Sequence, residues 1–275
     1  MQRAGIVSAT EFLQHCMLPR EELLNGIENR EEVARAIDLA ERAVKTWEVV
    51  CSGFYSPPVL AEIRDRFGRL TEIELLSWGG YPQAERQRLA IARAELPLMP
   101  EQVEVAAVEI AGNFLFDTAT HRDFLGATLA TGVVREKFGD IIVLGERGAQ
   151  MLVVPELVEF LELNLQQVRS VPVKVKALSL DDLKVRPPRT KEIATVEASL
   201  RLDAIASAGF GMSRSKMSDA IAAGDVRVNW KEVKQASHTV QSGDLIAMPG
   251  KGRLSVGDIA ITKKQRFRVQ LTRYV

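Results

Sequence analysis

Ser213, Arg214, Ser215 and Lys216 are the residues of this 275-residue chain whose types and spacing could do chemistry, and the chemistry is anion binding. Ser213 is placed to cap the start of a helix, which puts Arg214, Ser215 and Lys216 in its first turn. A helix N-terminus carries unpaired N–H groups and a partial positive charge, so cations there work against the helix itself. An anion docked at that end would remove the conflict. Phosphate fits, because the helix N–H groups, the Ser215 hydroxyl and the Arg214 fork all donate to its oxygens. Taken alone, the four residues are weak evidence, since a solvated basic turn has the same composition.

The elements that must position them run over 201–249. Two short helices are each followed by glycine, then come a Val226-Arg227-Val228 strand and a Gly243-Asp244 turn. Leu202, Ile205 and Ala206 share one helix face and Met217, Ala220 and Ile221 another, so the pair is expected to bury a common seam. Gly209 and Gly211 are expected to bracket the turn between them.

Arg201-Leu202-Asp203, the Gly209 turn, Ser213-Arg214-Ser215, Ile221 with Gly224, Val226, Val228 and Asn229, and then Gly243-Asp244 occur in an order that resembles the RNA-binding domain named after the fourth small-subunit ribosomal protein, the S-four domain. The resemblance implies that the two-helix face and the following strand lie against structured RNA. It also implies contacts from Arg201, Arg214, Ser215, Lys216, Arg227, Asn229 and Lys231, with Ser213 completing the site as the cap. One position departs from the pattern. The family usually has glycine after the asparagine, where this chain has Trp230, so the turn type there is open. Trp230 is expected to be a partly buried packing residue, with stacking on a base as the alternative.

Composition sets the outer bounds. At 46% hydrophobic and 26% charged, the chain reads as a soluble protein of two or three domains. The longest strongly apolar run, near 141–144, is far too short to span a membrane, and the first residues lack a secretory pattern. No membrane insertion and a cytoplasmic, reducing location are therefore expected. Cys16 and Cys51 are expected to be reduced, and His15, His121 and His238 are scattered without metal-ligand spacing, so neither a metal nor another cofactor is expected. The zero net charge hides a split: residues 1–183 carry 19 Lys+Arg against 28 Asp+Glu, a net of −9, and residues 184–275 carry 17 against 8, a net of +9. A basic end on an acidic body is the pattern of a chain with one polyanion-binding end.

The fold class expected is α+β, in three blocks: a helical segment over 1–69, a central ferredoxin-like or RNA-recognition-motif-like βαββαβ domain over 70–180, and an α+β RNA-binding domain of the S-four (αL-type) kind over 199–275, behind a Pro187-Pro188 linker at 181–198. In the first block the apolar spacing of Val33, Ile37, Ala40, Val44, Trp47 and Val50 predicts a helix over 31–50, and Ser56-Pro57-Pro58 starts another. Its acidic surface is a candidate protein-partner face. In the second block a strand at 73–78 and a helix at 82–94 are expected to precede the strand-helix-strand-strand-helix-strand series, whose middle hairpin turns at Gly145-Glu146-Arg147-Gly148. An RNA-recognition motif stacks bases on aromatics of its central strands, and neither 103–110 nor 150–154 contains one. This block therefore reads as scaffold, with one electrostatic RNA contact through Arg135-Glu136-Lys137. His121-Arg122-Asp123 copies the opening of a kinase catalytic loop, but no downstream partner residues accompany it; Thr120 capping a helix with Asp123 reaching back accounts for it.

Gly112-Asn113-Phe114, then His121-Arg122-Asp123-Phe124-Leu125-Gly126-Ala127, Gly132, Arg135-Glu136-Lys137 and Gly139-Asp140-Ile141 resemble the middle domain of YlmH-type proteins, which also end in an S-four domain. The chain is also similar to members from photosynthetic organisms that carry the label photosystem II S-four domain protein. The resemblance implies association with ribosomal RNA or with tRNA-bearing ribosomal subunits, without a catalytic reaction. The expected function is thus non-catalytic binding of structured RNA. The alternatives are an RNA-modifying enzyme that docks its substrate through the S-four domain, and a photosystem assembly factor acting through protein contacts.

Overall fold

The structure is a computed structural model that describes residues 18–274. The chain divides into two units, Met1–Val185 and Arg186–Val275. His15 and Cys16 lie outside the described residues.

In the first unit a single turn of helix, α1 (Arg20–Leu23), precedes α2 (Arg30–Thr46), whose buried Val33, Ala36, Ile37, Ala40, Ala43 and Val44 recur every three or four residues. The helix expected over 31–50 stops earlier. Trp47 turns left-handed at φ 58° and caps it, its N–H on the Ala43 carbonyl, and Val50–Cys51 is already a strand, β1. Pro57–Phe67 forms α3 with prolines in its first turn and Val59, Leu60, Ile63 and Phe67 buried.

Ile73–Trp78 (β2) and Arg88–Arg93 (β3) complete an antiparallel sheet of order β1-β3-β2. Here the structure corrects two expectations. The helix read over 82–94 is a loop and a strand. The first block does not end at 69, because Ile73, Leu89 and Ile91 share a core with α2 and α3. The run Leu89-Ala90-Ile91-Ala92 is buried throughout, as a central strand covered on both faces must be, and such a short run looks the same in a helix. Arg88, at the start of that strand, is 4% exposed; its Nε donates to the Ser52 carbonyl at 2.7 Å and its Nη1 to the Glu104 carbonyl.

The expected βαββαβ series follows: β4 (Ala106–Ala111), α4 (His121–Ala130), β5 (Phe138–Val143), β6 (Gly148–Val153), α5 (Val158–Asn164) and, after the small hairpin β7 (Gln167–Val168) and β8 (Val171–Pro172), β9 (Lys174–Leu178). The sheet order is β5-β6-β4-β9, antiparallel throughout, which is the ferredoxin-like arrangement. The Asp123 carboxylate takes both the Thr120 N–H and its hydroxyl at 2.7 Å, so His121-Arg122-Asp123 is a helix start as expected. Gly148 sits at φ 111°, where a Cβ would lie 1.9 Å from the Ile110 carbonyl oxygen, so only glycine fits that hairpin.

All six residues of β6 are buried, so neither sheet face is open at its centre. Gln150 accounts for one side: its Nε2 donates to the Asp182 carbonyl at 3.2 Å, and its Oε1 accepts from Lys184 N–H at 2.7 Å, so the chain after β9 is clamped across the sheet. Besides lacking aromatics, the surface on which an RNA-recognition motif reads bases is closed.

Arg135-Glu136-Lys137, expected to touch RNA, is tied into the fold by its own bonds. Arg135 Nη1 donates to the Phe138 carbonyl at 2.6 Å, and burial, with the Arg86 charge nearby, pushes its pKa down to about 10. Glu136 pairs with Arg35 and takes Phe54 N–H on its carbonyl, while Lys137 meets Glu156 at 3.2 Å. Next to them Asp140 accepts from Tyr81 Oη at 2.8 Å, Glu85 N–H at 2.7 Å and Arg86 N–H at 3.1 Å. Burial first and Asp140 second push the Tyr81 phenol upward, so it stays a donor. This stretch is the junction between the two cores of the first unit.

In the second unit a six-stranded antiparallel sheet has the order β10-β15-β14-β13-β11-β12. The strands are β10 (Thr190–Glu197), β11 (Arg227–Val228), β12 (Lys231–Glu232), β13 (Leu245–Met248), β14 (Gly252–Ile261) and β15 (Phe267–Tyr274). Most of the second half of the expected 181–198 linker is therefore strand, paired with β15 from Thr190↔Tyr274 to Glu197↔Phe267. Helices α6 (Leu202–Phe210) and α7 (Arg214–Ala223) bury the seam expected of them: Leu202, Ile205, Ala206, Met217 and Ile221 are fully buried. Gly209 is a helix residue, not a turn residue. A Cβ there would meet Leu254 of β14 at 2.2 Å, so the glycine is what lets α6 approach the sheet, and Gly211, left-handed at φ 67°, makes the turn alone. No helix among the described residues is long and apolar enough to cross a membrane.

Candidate nucleic-acid interface

Ser213 caps α7 as its spacing predicts, accepting Lys216 N–H at 3.4 Å, and Ser213, Arg214, Ser215 and Lys216 form an exposed run. The anion that this basic first turn calls for is already in the protein. Asp203, in the first turn of α6, points its carboxylate at Arg214, whose Nε and Nη2 each donate at 3.2 Å; Arg201 donates from Nε and Nη2 to the same carboxylate at 3.1 Å. The Asp203 side chain is 6% exposed, while those of Arg201 and Arg214 are 41% and 54% exposed. One buried charge thus holds two outward ones. Burial alone would raise the Asp203 pKa, but the hydrogen bonds from Arg201 and Arg214 outweigh it and hold the carboxyl below its usual range.

The triad carries a net charge of one positive. Pairing through Nε and Nη2 leaves Nη1 of each guanidinium on the outer edge, so the two forks remain donors to a second anion while the first fixes their direction. Sequence reasoning missed this arrangement because it read Arg201 and Arg214 as phosphate ligands only. The signal was a lone acid, Asp203, between two arginines at the starts of successive helices.

Arg227, Asn229 and Lys231 lie beyond the far end of α7, on the β11–β12 hairpin. Arg227 Nη1 donates to the Trp230 carbonyl at 3.1 Å, and Lys231 is exposed. Asn229, expected on RNA, is committed to the fold: Nδ2 donates to Asp244 at 2.8 Å, and Oδ1 accepts from Leu245 N–H at 2.9 Å. With Val228 paired to Lys231, the turn has two central residues, Asn229 at φ 50° and Trp230 at φ 69°. Both angles are positive, the mirror-image turn that twisted hairpins prefer. Asn tolerates that region, whereas a tryptophan there costs about 1 kcal/mol more than the glycine the S-four pattern leads one to expect. Trp230 is partly buried, as expected of it, and lies outside the main hydrophobic cluster of this unit.

Elsewhere, Cys51 is a free thiol donating to the Gln102 carbonyl at 3.0 Å, and no group of three or more metal-ligating side chains occurs among the described residues.

Comparison with known proteins matches three consecutive segments: residues 28–96 to "YlmH, N-terminal", 99–182 to "Putative RNA-binding domain in YlmH", and 200–246 to "S4 domain". The "Ribosome-associated protein quality control protein P2" of Bacillus subtilis is 32% identical over 203 residues, covering 74% of this chain and 79% of the relative. The chain belongs to the YlmH family. The solved "Cell division protein ylmH from Streptococcus pneumoniae" shares the fold, with a TM-score of 0.51 and 18% identity over 58% of this chain and 96% of that one. The YlmH N-terminal match ends at 96, past β3, where the first core ends. In the segment matched to the second of these families, the sheet face is closed by Gln150 and the 180–184 segment.

Proposed function

We propose that this protein binds structured RNA without catalysing a reaction on it, acting in the cytoplasm on ribosomal RNA or a tRNA-bearing ribosomal subunit through its basic C-terminal unit. One observation carries the reading: two exposed guanidiniums, held in fixed directions by a buried carboxylate, stand beside the exposed basic first turn of a capped helix. Family membership and the ribosome association in the name of the Bacillus relative support it. The shifted groups of the first unit, Tyr81 and Arg135 among them, are each explained by burial and structural pairing, so none calls for a catalytic role. No observation favours a modifying enzyme or a photosystem factor over this reading. The acidic N-terminal region we assign to a protein contact.

The test is sucrose-gradient sedimentation of the full chain with ribosomal subunits, beside Lys216→Glu/Lys231→Glu. These exposed residues are chosen because neither supports Asp203. The wild type is expected to co-migrate with a subunit and the variant to stay at the top of the gradient. On isolated RNA, each lost phosphate contact is expected to lower the slope of log affinity against log salt by about 0.7 to 0.9. Wild type at the top, or a variant that co-migrates as well as wild type, would sink the proposal. Cross-linking of the ribosome-bound chain checks the second assignment: links from the N-terminal region to RNA alone would remove the protein contact.

A further inference from the structure

The β11–β12 turn is fixed from both sides by hydrogen bonds that do not use the Trp230 side chain. Asn229 ties one half to β13 through Asp244 and Leu245, and Arg227 Nη1 holds the Trp230 carbonyl at 3.1 Å. The indole is partly exposed, on a residue whose φ of 69° suits glycine better. A large side chain on a backbone angle that favours glycine is kept there at a cost to the fold, and such costs gather at functional positions.

The neighbourhood decides what the ring would meet. Arg227 and Lys231 flank it in sequence, and residues 184–275 carry a net charge of +9. Cations around a rigid aromatic face are what an unpaired base with its phosphates requires: the charges take the backbone, and the ring takes the base by stacking, whatever the base is. We propose that Trp230 is a stacking platform for one unpaired base of the bound RNA, so that the protein distinguishes a helix with an extruded nucleotide from an uninterrupted one. The inference rests on the RNA-binding reading above and adds a selectivity element to it.

The experiment measures binding of the full chain to two RNA probes, a stem with a single bulged adenosine and the same stem fully paired, together with the urea midpoint of each protein. Wild type is expected to prefer the bulged stem by about tenfold, the effect of one stacked base. Trp230→Gly is expected to lose the preference, to keep the salt dependence, and to unfold at the same or a higher urea concentration than wild type. Trp230→Phe is expected to restore most of the preference. A Trp230→Gly protein that keeps the wild-type preference overturns the inference, as does one whose midpoint falls, which would mark Trp230 as a packing residue. Wild type binding neither stem would overturn the RNA-binding reading and this inference with it.

Discussion

Asp203→Ala is expected to destabilise the C-terminal unit by about 3 kcal/mol, the cost of removing one partner from a buried ion pair. The carboxylate is 6% exposed and accepts four hydrogen bonds from two guanidiniums. Without it Arg201 and Arg214 face each other as like charges, and the N-terminal turn of α7 regains the conflict that Asp203 resolves. The exposure of the two arginines keeps the figure at the lower end, since their charges are screened by water. RNA affinity should fall together with stability, because the forks lose their direction. Asp203→Asn separates the two contributions: it keeps the shape and one acceptor, so it should recover part of the stability and little of the affinity. Urea denaturation with RNA binding on the same preparations reads both, and an Asp203→Ala protein as stable as wild type would remove the triad from the account.

The same triad sets a pH dependence. Because the folded carboxyl lies below its unfolded value, its contribution is fully present above the unfolded pKa of about 3.9 and is lost as pH falls through the folded one. The C-terminal unit of wild type should therefore lose stability in acid more steeply than that of Asp203→Asn, and the two curves should run parallel at neutral pH.

How much of this was legible in the sequence depends on the range of the interaction. The apolar seam of α6 and α7 and the cap at Ser213 rest on spacings of three or four residues, and they stand where the sequence puts them. The βαββαβ order was legible for the same reason, because each element carries its own period. What escaped depended on partners far along the chain. The burial of Arg88 could not be read locally because its acceptors, the Ser52 and Glu104 carbonyls, are contributed by other segments. The bonds of Asn229 to Asp244 and Leu245 could not be read locally because only the sheet brings the three together. Gly209 read as a turn because nothing local announces the Leu254 side chain it must clear. At the candidate site the residue types were legible and their division of labour was not: two of the expected phosphate ligands also bind an acid of their own chain.

Asp140→Ala extends that lesson to the first unit, where the stretch Arg135 to Asp140 looked like a basic contact and is a junction. The Asp140 carboxylate takes a phenol and two backbone N–H groups from the segment between β2 and β3, while Gly139 beside it packs so closely that a Cβ would meet the Phe54 ring at 2.6 Å. Hydrogen bonds to a charged acceptor each contribute about 1.5 to 3 kcal/mol, and the three act on one segment, so a loss of about 3 kcal/mol for the set is expected. Lys137→Ala, which breaks only the exposed pair with Glu156, should cost less than about 1 kcal/mol. The signature lies in where the loss falls. Amide exchange should rise in β3 and β5, and β14 and β15, in the other unit, should keep their protection together with the RNA affinity of the chain. If Asp140→Ala instead left exchange unchanged and abolished RNA binding, this carboxylate would belong to the function of the protein and not to its frame.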